Sequence, residues 1–153
     1  MTVQMTKWQI EEWIHDYNFM LREISRLSRI LNRVSFGGNS LVAQYGIDAA
    51  MPKGSSGISE AEKKQIEYQE KRLKKYQETI SFLELVHGFF ETEKYRVVYE
   101  CMLDGMSYRA IAKHLGVSRD TVREMKEEIL SIIVQKGQKD HIPQLLKKEK
   151  SVV

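Results

Sequence analysis

Two stretches of this chain repeat apolar residues at alternating steps of three and four. In the first, from Lys7 to about Ser35, the positions are Ile10, Trp13, Tyr17, Met20, Ile24, Leu27, Leu31 and Val34. That spacing is an a/d heptad seam, which puts all eight on one face of a helix. Thr6 followed by Gln9 forms a capping box that satisfies free N–H groups at the helix start. No proline interrupts the seam, and Gly37-Gly38 ends it, as glycine commonly does beyond a helix C-terminus. The second stretch begins with another capping box, Ser59 and Glu62, and continues through Ile66, Gln69, Leu73, Tyr76, Ile80 and Leu83 to His87 and Phe90. Each stretch of roughly 30 residues makes a helix of about 45 Å. Between them, residues 36–58 hold five glycines and Pro52 and read as a loop. The arrangement implied is an antiparallel helical hairpin, or helices that pair with a second chain.

After Gly88 the pattern changes. A third helix is expected from Thr92, its N-cap, to Leu103, with Tyr95, Val98, Tyr99 and Met102 on one face and Gly105 as its breaker. Next comes SYRAIAKHLGVSRDTVREMKEEI. Two short helices that cross closely need a small residue on the first, and Ala112 is one. A tight turn needs a residue that accepts positive φ, and Gly116 stands four residues later. Ile111, Leu115, Val117, Val122 and Met125 supply an apolar mini-core. Ser107 and Ser118 are placed to cap the two helices. This is a helix-turn-helix from Ser107 to about Ile129.

In such a motif the N-terminal residues of the second helix meet base edges in the DNA major groove. Arg119, Asp120, Arg123, Glu124 and Glu127 point away from Val122 and Met125. Arg119 and Arg123 can each donate a bidentate pair to guanine O6 and N7, and Asp120 can accept from cytosine N4. A correct pair of this kind discriminates by roughly 1–3 kcal/mol. Ser107, Tyr108, Arg109, Ser118, Thr121 and Lys126 are better placed for phosphates, which fix register without reading sequence.

From Thr92 to about Val134 the chain resembles the C-terminal promoter-binding domain, region four, of bacterial sigma factors. The residues that carry the resemblance are DGMSYRAIAKHLGVSRDTVREMKEEIL. It implies contact between Arg119, Asp120, Arg123, Glu124 and the −35 promoter element. Upstream of Ser59 there is no aromatic-rich helix of the kind that melts a promoter, so the resemblance is to the DNA-binding part alone. A helical N-terminal half joined to this C-terminal motif is similar to phage late-gene regulators of the ArpU and RinA type. That likeness implies a transcription activator in a phage or prophage.

The remaining features set limits. The net charge is +3 and the surplus sits at the C-terminal end, where Lys136, Lys139, Lys147, Lys148 and Lys150 outnumber Asp140 and Glu149. Pro143 breaks any helix there, and the lysine cluster can add non-specific DNA affinity or serve as a solubilising tail. One cysteine, Cys101, excludes an internal disulfide and a multi-cysteine zinc site, and it reads as a buried structural thiol. The four histidines are scattered without metal-site spacing, and no P-loop, Gly-x-Ser-x-Gly or His-Glu-x-x-His pattern occurs. No enzymatic activity, cofactor or metal is therefore expected. No secretion signal and no apolar run of membrane-spanning length is read, which fits the cytoplasm. The stripe Arg22, Arg26, Arg29, Arg33 reads as a solvated face or as partners for glutamates on the other helix. Trp8 and Trp13 read as packing residues.

The expectation is an all-α chain: a coiled-coil-like hairpin over 1–88 with its loop at 36–58, a helix-turn-helix domain over 89–137, and a basic tail over 138–153. Its function would be sequence-specific transcription regulation on double-stranded DNA. The hairpin would contact RNA polymerase or make a homodimer, with no membrane involved. Two other readings stay open: a DNA-packaging protein of the small terminase subunit kind, and an adaptor whose helix-turn-helix contacts RNA polymerase rather than DNA.

Overall fold

The computed structural model describes residues 5–34 and 59–140, with side chains as far as 137. The expected loop and all of the tail beyond residue 140 lie outside the described residues. Within them the chain is all-α, with six helices and no strand: α1 Lys7–His15, α2 Tyr17–Asn32, α3 Glu60–Leu85, α4 Glu93–Leu103, α5 Tyr108–Leu115 and α6 Arg119–Asp140. A 3-10 turn, Val86–Phe89, follows α3.

The caps expected at the starts of the two long stretches form, whereas Thr92 makes no side-chain capping bond before α4. The Gln9 amide donates to Thr6 Oγ1 at 3.1 Å and the Glu62 amide to Ser59 Oγ at 3.1 Å. The first long helix is interrupted at Asp16, however, where φ −89° and ψ 2° lie off the helical minimum. Hydrogen bonds Asp16 N–H to Glu12 O and Met20 N–H to Asp16 O run on through the interruption, so the break is one residue wide. Asp16 side-chain bonding to His15 Nδ1 at 3.2 Å accompanies it. The break also turns the apolar face. Ile10 and Ile14 are the buried residues of α1, whereas Trp13 is half-buried with its ring edge-on to Phe82, centroids 5.9 Å apart. Trp8, expected to pack, is 68% exposed, because it stands two residues from Ile10 and so points to the opposite side of the helix.

The chain divides into two compact units, residues 1–20 with 78–153, and residues 21–77. The expected boundary between 88 and 89 falls inside the first unit. The reason is packing: α1 lies against α6 and α4, so the N-terminus shares a core with the C-terminal helices. Met5, Ile10, Ile14, Phe82, Leu83, Val86, Phe90, Val98, Tyr99, Ile111, Val122, Ile129, Leu130 and Ile133 are all buried in that unit. The end of α3 buries Thr79, Ile80, Phe82 and Leu83, a wider face than a heptad seam covers. Where α3 tightens into the 3-10 turn, backbone carbonyls lose helical partners. Side chains take them up: Tyr99 Oη donates to Leu83 O at 2.7 Å, Arg96 Nε to Phe90 O at 3.1 Å and Lys136 Nζ to Phe89 O at 2.6 Å. Burial pushes the Tyr99 phenol far above its ordinary value, so it stays a neutral donor. Asn18 Nδ2 likewise donates to Leu103 O at the end of α4.

The second unit holds the later part of α2 and the earlier part of α3. Leu27 is buried, but Ile24, Leu31, Ile66, Gln69, Leu73 and Tyr76 are only half-buried. In the arginine stripe, Arg26 pairs with Glu23 on its own helix, through Nε at 2.7 Å and Nη2 at 3.0 Å, rather than with the other helix. Arg22, Arg29 and Arg33 are exposed.

Candidate nucleic-acid interface

Four backbone devices shape the motif. Gly105, at φ +81°, ends α4, with its amide donating to Met102 O and the Met106 amide to Cys101 O. Ser107 Oγ accepts from the Ala110 amide at 3.1 Å and starts α5. Gly116 ends α5 at φ 74° and ψ 34°, the left-handed region that glycine enters without steric cost. The Gly116 and Val117 amides both donate to Ala112 O. Ser118 Oγ then accepts from the Thr121 amide at 3.1 Å and lies 2.9 Å from Thr121 Oγ1, starting α6. Two helices are thus joined by a turn with little freedom.

The motif's core is Ile111, Ala112, Val122 and Met125, all buried, while Leu115 and Val117 are half-buried. Ile129, Leu130 and Ile133 continue the buried face, which carries α6 on to Asp140, beyond the expected end of the motif.

Packing these residues inward leaves Arg119, Asp120, Arg123 and Glu124 exposed together on the first two turns of α6. Arg123 Nη1 lies 3.6 Å from Asp120 Oδ1, a solvent-exposed pair that water screens heavily. Ser107, Arg109 and Ser118 are also exposed, but both serine hydroxyls already accept a helix-capping bond. Thr121 is half-buried and its hydroxyl faces Ser118.

Tyr108 and Lys126 are engaged within the protein. Lys126 Nζ donates to Glu11 Oε1 at 2.5 Å and to Tyr108 Oη at 2.5 Å, and its side chain is only 15% exposed. Burial alone would push the ammonium's pKa down, but the bonds to Glu11 and Tyr108 outweigh it and the net shift is upward. Nζ is 5.0 Å from the Tyr108 ring centroid, which with so short a bond to the hydroxyl puts it off the ring's edge. Arg123 Cζ lies 5.6 Å from the same centroid, within cation–π range. Tyr108 therefore contacts two cations of α6, Arg123 and Lys126.

Glu11 and Lys7, both on α1, are the residues that reading the sequence missed. Lys7 Nζ lies 3.4 Å from Glu127 Oε2, one residue along α6 from Lys126. Glu11 and Lys126 are 115 positions apart, and local spacing carries no signal for such a pair.

Residues 93–128, which cover α4, α5 and the first half of α6, match the helix-turn-helix domain family. Over 154 aligned residues the chain is 46% identical to the uncharacterized protein YqaQ of Bacillus subtilis (strain 168), covering 97% of this chain and 100% of that protein. No solved structure matches. Among the described residues no helix is long and apolar enough to cross a membrane.

Proposed function

This chain belongs to the family of YqaQ, and we propose that it regulates transcription by reading a specific sequence of double-stranded DNA with α6. The observation that carries the proposal is the exposed set Arg119, Asp120, Arg123 and Glu124 at the start of a helix whose opposite face is buried in a matched helix-turn-helix. Arg119 and Arg123 donate to guanine edges and Asp120 accepts from cytosine. Of the residues expected at phosphates, Ser107, Arg109 and Ser118 are exposed and take that role, whereas Tyr108, Thr121 and Lys126 are engaged within the protein. The protein needs no catalytic group or cofactor for this and works in the cytoplasm, where the DNA is.

The finer reading follows the resemblance to sigma region four and to the ArpU and RinA regulators: activation of a phage or prophage promoter, with the second unit contacting RNA polymerase or a second copy. The half-buried seam of Ile24, Leu31, Ile66 and Leu73 supports pairing of two copies, since a partner's helices would complete its burial. A two-fold dimer places its half-sites ~10.5 bp apart or at a multiple.

The acidic residues Asp120, Glu124, Glu127 and Glu128 on the exposed side of α6 favour one other reading, an adaptor that meets a protein instead of DNA. Selection from a randomised duplex pool, followed by fluorescence anisotropy, separates the two. We expect a defined site, and relaxed specificity in Arg119→Ala and Arg123→Ala. If binding is absent, or equally weak in wild type and variants, the motif is a protein-contact element.

A further inference from the structure

Glu11 belongs to a helix that precedes the motif by about ninety residues, yet its carboxylate holds a basic side chain of the reading helix. Lys126 is one turn beyond Arg123 on α6. On an open recognition helix such a lysine would be free to swing to the nearest phosphate. Here Glu11 accepts one of its three N–H bonds and the Tyr108 hydroxyl a second, and the side chain is only 15% exposed. The same Tyr108 presents its ring to Arg123. A chain of contacts thus runs Glu11, Lys126, Tyr108, Arg123, from the N-terminal helix to the exposed reading surface.

We propose that Glu11 is a specificity-determining positioning residue: it keeps Lys126 off the DNA backbone and uses it to hold Tyr108 behind Arg123. The inference rests on α6 reading DNA. Two physical effects combine in it. A lysine neutralised by a carboxylate releases no counterions from DNA, so it adds nothing to sequence-independent affinity. An arginine braced by a fixed aromatic ring loses less freedom when it forms a bidentate pair, so the correct base gains more than a wrong one. Glu11 would therefore lower non-specific binding and raise discrimination at once. The second tie between the helices, Lys7 to Glu127, is more exposed and touches neither Tyr108 nor Arg123.

The test uses the full chain and three variants, Glu11→Gln, Arg123→Ala and the double change Glu11→Gln with Lys126→Gln. Binding is measured by anisotropy on the selected duplex, on its single-base variants and on an unrelated duplex, over a range of salt. For Glu11→Gln we expect tighter binding to the unrelated duplex, a plot of log K against log salt steeper by about 0.9 per copy, and discrimination at the Arg123 base lower by about three- to tenfold. The double variant should return the salt slope to the wild-type value without restoring discrimination. A merely structural role for Glu11 would weaken all duplexes alike and leave the slope unchanged, and that result would overturn the inference. So would wild-type slope and discrimination in Glu11→Gln, while Arg123→Ala still loses discrimination. If Arg123→Ala itself discriminates as well as wild type, base reading by α6 fails and the inference fails with it.

Discussion

Gly116 shows how much of the motif depends on one backbone angle. A Cβ at this position would have nothing within 4 Å, so space is not what demands glycine. The demand comes from φ +74°, where an L side chain meets its own carbonyl. We expect Gly116→Ala to lower the unfolding free energy by about 1–2 kcal/mol in urea titrations. Ser118→Ala removes the α6 cap and should cost ~1 kcal/mol. Neither change touches the exposed side chains of α6, so both should alter stability more than sequence preference. These positions were legible in the sequence, because caps and turns are set by residues within four places of each other. Trp8 shows the opposite case. Its size suggests burial, but it stands two residues from Ile10, so once that face of α1 packs inward Trp8 points outward.

Among the elements, α1 is where sequence and structure part most. Its helical character and its Thr6 cap follow from local pattern, whereas its end at His15 falls inside a stretch whose seam runs on toward Ser35. Its packing partner has no local signature, since Ile10 and Ile14 suit a seam with α3 as well as a groove beside α6. Ile10 is fully buried. We therefore expect Ile10→Ala to destabilise the helix-turn-helix unit by about 2–5 kcal/mol, measured by urea unfolding with tryptophan fluorescence. An element merely tethered to the motif would show almost no effect. The Lys126 link adds a pH signature. Its folded pKa is raised, so its contribution is fully present below the ordinary lysine value of 10.5 and is lost as pH rises through the higher folded value. The stability difference between wild type and Lys126→Met should thus stay constant through neutral pH and shrink only above about 10.5. A difference that instead faded between pH 6 and 8 would mean that Lys126 does not carry the link.

At the scale of the whole molecule, both ends of the described chain meet in one unit, and residues 21–77 form the other. α2 and α3 each run from one unit into the other. The fold class and the motif's position could be read from periodicity and caps. The division into units could not, because it depends on long-range contacts between α1 and the C-terminal helices. For the second unit, sedimentation velocity of the full chain reports whether its half-buried seam recruits a second copy; we expect a dimer, and a strict monomer at high concentration would remove the symmetric half-sites from the account. The central claim is that α6 lies in the major groove with its arginines on guanine edges. Methylation interference at guanine N7 on the selected duplex tests this most directly. We expect methylation at one or more guanines in each half-site to block binding, and Arg123→Ala to become insensitive at one of them. If methylation at every guanine leaves binding unchanged, no arginine of α6 reaches a guanine in the major groove, and the account of α6 as the reading helix is wrong.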